Sequence, residues 1–277
     1  MSPPPTDPRA QMAPARLLEV QRVNGQTGLA VFTLQPESGE LPEFTAGQHT
    51  TLCWEHEGQP VVRYYNIASA PEQRGRWEFY VVRVDKPGVA TPELFALPVG
   101  SRLWLGTPSG RFTLERTRKR HLALVATGTG LAPYISMLRH LRRAPQSVDA
   151  VSLWHGVRHP SDLGYRDELE QLARSAPFRM AYVPTASRAT AAERKHDPAL
   201  SFGRVDTLLC RVLGLPLPDD PRGAHLAPAH DRERLRAQLP EGDTATFLCG
   251  NPNMIRSFAA CAEGSPYHAD LVYEKYW

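Results

Sequence analysis

The 277-residue chain has only four cysteines, and no two of them form a Cys-x-x-Cys pair. The scatter of Cys53, Cys210, Cys249 and Cys261 argues against a zinc site, an iron–sulfur cluster or a disulfide framework. Long apolar runs are missing too: no stretch reaches the roughly 18 residues that a membrane span requires, so no membrane association is expected. The first residues, from Met1 to Pro8, are rich in proline and lack the apolar core of a signal peptide. A disordered lead over residues 1–15 and a cytoplasmic location are therefore expected. Charge of either sign is nearly balanced, and a net +3 is too small to imply a nucleic-acid partner. Two arginine clusters, Arg116 to Arg120 and Arg139 to Arg143, read either as solvated surface or as a local basic face for an acidic partner. With no metal expected, electrons carried by this chain need a bound organic cofactor.

What is present divides into two halves of different periodicity. From Arg16 to Pro108 short strands alternate with Gly and Pro: 17–23, 29–35, 49–55, 61–68, 77–84 and 102–105, with one short helix near Pro92–Ala96. Six strands with turn signals between them suggest an antiparallel barrel, whose closure removes exposed edges. From His121 onward, apolar strands (121–126, 150–154, 179–183, 246–249) alternate with amphipathic segments, as in a doubly wound parallel sheet. The division is expected at 118/119, giving domains 16–118 and 119–277. The proline-rich run from Leu215 to Pro228 reads as a long surface connection.

The most informative stretch runs from Val125 to Tyr134, where an apolar strand enters the turn Gly128-Thr129-Gly130-Leu131-Ala132-Pro133 and then a helix. Gly128 and Gly130 can adopt angles closed to other residues and let a phosphate approach the main chain. Amides at the start of the following helix favour an anion. The pattern departs from the dinucleotide fingerprint Gly-x-Gly-x-x-Gly at its last position, where Pro133 stands. In the first half, Arg63 and Tyr65 share one face of a strand, a pairing that can hold a phosphate and stack a ring. Gly88-Val89-Ala90-Thr91 then offers a hydroxyl and amides at the start of a short helix.

Taken together, Arg63-x-Tyr65-Asn66, Gly88-x-x-Thr91, Pro108 to Phe112, Gly128 to Pro133, His155-Gly156-Val157-Arg158 and Cys249-Gly250-Asn251-Pro252-x-Met254 come in the order and spacing of ferredoxin–NADP reductases. Tyr276-Trp277 at the end resembles the bacterial branch of ferredoxin/flavodoxin reductases. The resemblance covers about Arg16 to Trp277. It implies a two-domain β plus α/β fold, in which a six-stranded antiparallel Greek-key FAD-binding barrel is followed by a Rossmann-like parallel-sheet NADP-binding domain. It also implies a monomer that exchanges hydride between NADP(H) and FAD and passes single electrons to or from ferredoxin or flavodoxin. A free-flavin or oxygenase reductase is the second expectation, and a non-catalytic flavin- or nucleotide-binding regulator the third.

Carried onto this sequence, the resemblance makes Tyr65, Asn66 and Cys249 the catalytic candidates. Arg63 would pair with the FAD pyrophosphate, Tyr65 would stack on the isoalloxazine and Thr91 would help cap the pyrophosphate. Ile67, Ala68, Gly88, Ala90, Thr129 and Trp277 complete the FAD set, the C-terminal tail returning to the flavin. Asn66 stands where the family usually has serine. Cys249 stays open between a small buried residue and one that shapes the nicotinamide pocket. For NADP the candidates are Gly128, Thr129, Gly130, Pro133, Arg158, Ser187, Arg188, Arg204, Gly250, Asn251 and Met254. Trp154 to Arg158 ends in arginine where NAD-binding folds usually place an acid, which favours NADPH. Asp162, preceded by Ser161, reads as a helix N-cap and not as a ribose ligand.

Overall fold

A computed structural model describes residues 7–86, 90–145, 148–218 and 223–275. It divides into two compact units, one of residues 1–114 with 135–140 and the other of residues 115–134 with 141–277. The break therefore falls at 114/115, four residues before the expected position, and a piece of the first helix of the second half groups with the first unit.

The first unit is a six-stranded antiparallel sheet with β1 (Ala13–Asn24), β2 (Leu29–Pro36), β3 (His49–His56), β4 (Gln59–Asn66), β5 (Trp77–Val82) and β6 (Arg102–Leu105). Its order is β4-β3-β6-β1-β2-β5, so two hairpins and a returning strand make the expected Greek key. The strip closes on itself just past β4, where Ile67 bridges to Phe79 and the Ala68 N–H donates to the Glu78 carbonyl at 2.9 Å. Closure buries Trp54, Trp77, Phe32 and Phe79, with the Phe44 ring edge-on to Trp77 at 5.4 Å. Each such side chain contributes roughly 1.5–3 kcal/mol by leaving water. Helix α1 (Thr91–Ala96) plugs this core with Leu94.

The N-terminal lead requires a correction. A 3-10 turn covers Pro8–Gln11 and β1 begins at Ala13. Pairing of Ala13 to Arg16 with β6 supplies the backbone partners that composition does not reveal.

The second unit is a parallel sheet: β7 (His121–Thr127), β8 (Ala150–Val157), β9 (Arg179–Ala186), β10 (Ser201–Phe202), β11 (Thr244–Gly250) and β12 (Leu271–Lys275), in the order β10-β9-β8-β7-β11-β12. All eight residues of β8 are buried, as expected for a strand covered on both faces. Helices α2 (Ala132–Arg143), α3 (Arg166–Ser175), α4 (Ala191–His196), α5 (Val205–Leu213), α6 (Arg232–Ala237) and α7 (Pro252–Ala262) complete it. The chain leaves β7 toward β8 but returns from the far edge to β11 on the other side, so the order reverses beside β7. Such a switch point opens a crevice at the strands' carboxyl ends. Among the described residues no helix is long and apolar enough to cross a membrane.

Candidate functional site

In the second unit the site is built from strand ends. The parallel pairing of β8 and β9 runs one step beyond both strands: the Ser187 N–H donates to the Val157 carbonyl at 3.0 Å and the Arg188 N–H to the Arg158 carbonyl at 2.8 Å. This register sets Arg158 and Arg188 side by side, both exposed. Arg204 joins them as the residue preceding α5, after Gly203 at φ +105°. A Cβ on Gly203 would meet the Ala224 Cα at 2.7 Å, so only glycine lets this turn approach so closely. Across the crevice, Asn251 caps α7 by accepting from the Asn253 N–H at 2.8 Å, and Met254 follows in the first turn.

A groove of about 280 Å³ is lined by Arg158, Ser187, Arg188, Arg204, Asn251 and Met254. Six sequence candidates, far apart in the chain, thus share one cavity. The groove also takes in Thr127, Asp206 and Asn253, which sequence reading missed. Thr127 could have been found from its place directly before Gly128: its Oγ1 accepts the Asn251 N–H at 2.7 Å and ties the two sides of the crevice. Asp206 pairs with Arg204 through the guanidinium Nε and Nη2 at 3.1 and 2.9 Å.

The glycine turn is placed differently. Gly128 to Leu131 form a 3-10 turn before α2, with Pro133 at the second helical position, where a missing N–H costs nothing. Gly128, Thr129, Gly130 and Pro133 are not among the groove's lining residues. Gly128 has φ +55° and open space where a Cβ would stand, room that a ligand backbone can use. Gly130 and Gly250 serve close approach: a Cβ would meet the Cys249 carbonyl oxygen at 2.4 Å in the first case and Thr127 Oγ1 at 2.3 Å in the second. The space over Gly128 and the exposed guanidinium groups fit a phosphate-bearing dinucleotide, whereas at Gly130 the close approach is that of the chain's own β11 end and not of a phosphate.

Cys249 ends β11 with no exposure, so of its two readings the small buried residue is the one visible in the fold. Asp162 is a local cap: its carboxylate accepts the His159 N–H at 3.2 Å around a 3-10 turn. It does not cap α3, which starts four residues later at Arg166 behind Tyr165 in the left-handed region, and this corrects the N-cap expectation. His155, inside β8, is fully buried, and burial pushes its imidazole down to about 3. Its Nδ1 faces the Tyr182 hydroxyl at 3.1 Å.

In the first unit the candidates follow one another along β4, and burial deepens with position. Arg63 is exposed, Tyr65 is half-buried and Asn66 is buried. Burial pushes the Tyr65 phenol up to about 12, with Arg63 opposing, so the ring is a neutral surface at physiological pH. Ile67 and Ala68 have no exposure, and their N–H groups donate to the Gln48 and Glu78 carbonyls. Both N–H groups are thus taken up in the barrel's closure. Ala90 is likewise buried at the start of α1. Thr91 Oγ1 accepts the Val84 N–H at 2.8 Å, which fixes the hydroxyl and leaves its hydrogen as the donor. An exposed guanidinium, a neutral ring on the same strand face and an oriented hydroxyl suit a flavin dinucleotide's phosphates and ring. Gly88, Tyr276 and Trp277 lie outside the described residues.

Arg139 departs from its reading as part of a basic face. In the segment 135–140 that groups with the first unit, its Nη1 donates to Glu78 at 2.9 Å and to the Ala68 carbonyl at 3.2 Å. It braces the end of the β4 path instead of meeting a partner.

The family model described as "Oxidoreductase FAD-binding domain" matches residues 14–114, and that described as "Oxidoreductase NAD-binding domain" matches residues 124–260. Ferredoxin–NADP reductase B of Sorangium cellulosum is 41% identical over 147 residues, 52% of this chain and 58% of that protein. The chain thus spans little more than half the length of that relative. The flavodoxin/ferredoxin–NADP reductase of Escherichia coli is 30% identical over 234 residues, 82% of each chain. A crystal structure of a ferredoxin NADP+ reductase from Neisseria gonorrhoeae with bound FAD and NADP superposes with a TM-score of 0.74 at 21% identity, covering 95% of this chain and 98% of that one. An antiparallel FAD-binding barrel and a parallel-sheet NAD(P)-binding unit with its phosphate-ready groove have a common explanation: the chain belongs to the ferredoxin/flavodoxin–NADP reductase family of FAD- and NAD(P)-binding oxidoreductases.

Proposed function

We propose that the protein is an NADPH-dependent, FAD-containing reductase that exchanges electrons with a ferredoxin or flavodoxin, acting as a cytoplasmic monomer without nucleic acid or membrane. One observation carries the coenzyme choice: Arg158, Ser187, Arg188 and Arg204 line a single groove, so three guanidinium groups and a hydroxyl converge where a 2′-phosphate can sit. FAD, when bound, accepts two electrons as hydride from reduced nicotinamide and releases them one at a time. The chain supplies geometry. Arg63 would hold the pyrophosphate, Tyr65 would stack as a neutral ring, Thr91 would donate its hydroxyl hydrogen to the phosphates, and Asn66 would offer its amide to the ring. Gly250 would shape the nicotinamide end, and Asn251 and Met254 would support the coenzyme from the start of α7. Gly128 and Thr129 would meet the coenzyme from the turn before α2.

A free-flavin or oxygenase reductase would use the same two units, so the acceptor is decided by assay. Purified protein should release FAD on denaturation and, under anaerobic conditions with NADPH, reduce ferredoxin or flavodoxin faster than free flavin. Release of FMN, or turnover with free flavin alone, would contradict this reading.

A further inference from the structure

Asp206 is the acidic side chain among the described residues lining the coenzyme groove, in a place meant for phosphate. Its carboxylate is 1% exposed, whereas Arg204 beside it is 31% exposed. The two are held bidentately, with Nε at 3.1 Å from one oxygen and Nη2 at 2.9 Å from the other. Their backbone is fixed as well: Gly203 packs against Ala224, Arg204 is the extended residue before α5, and Asp206 lies in the first turn of this nine-residue helix. The guanidinium plane is therefore set by folding, one edge of the fork facing a buried carboxylate.

We propose that Asp206 is a positioning residue for 2′-phosphate recognition, gripping the Nε–Nη2 edge of Arg204 so that its guanidinium is held in fixed orientation at the groove. This rests on the reading of the groove given above. Two effects of the carboxylate oppose each other. As a charge it repels a phosphate; as a clamp it removes the disorder of a long side chain before the ligand arrives. Bidentate recognition depends on orientation, and a buried carboxylate acts on the guanidinium it touches more than on a phosphate beyond it, so the clamp dominates. The sign of one substitution separates the two: as a mere charge, Asp206→Asn would tighten phosphate binding, and as a clamp it weakens it.

The test is calorimetric titration of the FAD-loaded full chain with adenosine 2′,5′-bisphosphate and, separately, 5′-AMP. Asp206→Asn should weaken the bisphosphate about 10-fold and the ratio of the two affinities with it. In the Arg204→Ala background the same substitution should add nothing, and Asp206→Glu, with its carboxylate displaced by one methylene, should fall between. If Asp206→Asn does not fold, Asp206→Glu carries the test alone, with loss expected for the bisphosphate only. Unchanged or tighter bisphosphate binding in the Asp206 variants, or equal losses for both ligands, overturns the proposal while Arg204→Ala still weakens the bisphosphate. An Arg204→Ala chain that binds the bisphosphate like the wild type overturns the groove reading itself, and the proposal falls with it.

Discussion

The two units place their candidate groups by different means. In the parallel-sheet unit the groove residues come from the carboxyl ends of β7, β8, β9, β10 and β11, and the backbone ladder itself carries Arg158 and Arg188 into register. In the barrel unit most candidates follow one another along the end of β4, from exposed Arg63 to fully buried Ile67 and Ala68, and Ala90 and Thr91 join them from the start of α1. One site is a cavity that topology makes; the other is a graded edge that a ligand must complete. The coenzyme groove is thus pre-organised by folding, whereas the flavin groups depend on the barrel's closure to keep β4 in place.

The strongest way to break that comparison is to damage each core separately. Trp77 fills the barrel and Trp154 lies under the groove, both with no exposure. Trp77→Ala and Trp154→Ala should each cost about 3–5 kcal/mol. If the units hold their sites independently, Trp77→Ala releases flavin while adenosine 2′,5′-bisphosphate still binds, and Trp154→Ala does the reverse. Loss of both ligands in both variants would show the sites to be one cooperative structure.

A smaller effect is expected at Arg63, whose side chain is exposed and adds little to packing. Arg63→Ala should weaken FAD by about 1.5–3 kcal/mol, the range of a charge-assisted hydrogen bond, with little change in the apo-protein's melting temperature. A fall in apo-protein stability with unchanged flavin affinity would place Arg63 in the barrel's framework.

The third effect belongs to the parallel-sheet unit. Burial lowers His155 from 6.5 to about 3, so between these pH values the unfolded chain binds a proton that the folded chain does not. The stability of the neutral buried form is full above pH 6.5 and declines as pH falls toward 3. By pH 5 the loss should be about 2 kcal/mol. His155→Asn should flatten this slope in denaturant titrations, and an unchanged slope would mean that other groups set the acid limit.

Much of this was legible in the chain because both halves carry strong periodic signals. The six barrel strands and the strands at β7, β8, β9 and β11 follow from apolar pattern and turn residues. Other elements were hidden for physical reasons. Two-residue β10 is too short to show a period, and β12, with Tyr273 half exposed at the sheet edge, reads as a polar tail. Helix α5 has nine residues, of which eight are buried, Asp206 and Thr207 among them, so its polar positions do not mark a solvent face. The family resemblance gave Arg158, Ser187, Arg188 and Arg204, but Asp206 was invisible, since only the structure shows that its carboxylate faces Arg204. That the Ile67 and Ala68 amides close the barrel was not legible either, because a strand's local pattern does not tell which of its amides pair across the closure.

The central claim is that folding alone builds a groove that reads the 2′-phosphate, and coenzyme preference tests it most directly. Steady-state kcat/KM of the FAD-loaded protein should be measured with NADPH and NADH, for the wild type and for Arg188→Ala. The account predicts at least about a 10-fold preference for NADPH in the wild type, reduced about 10- to 100-fold by the substitution through KM for NADPH. Equal use of both coenzymes by the wild type, or equal losses with both in Arg188→Ala, would contradict it.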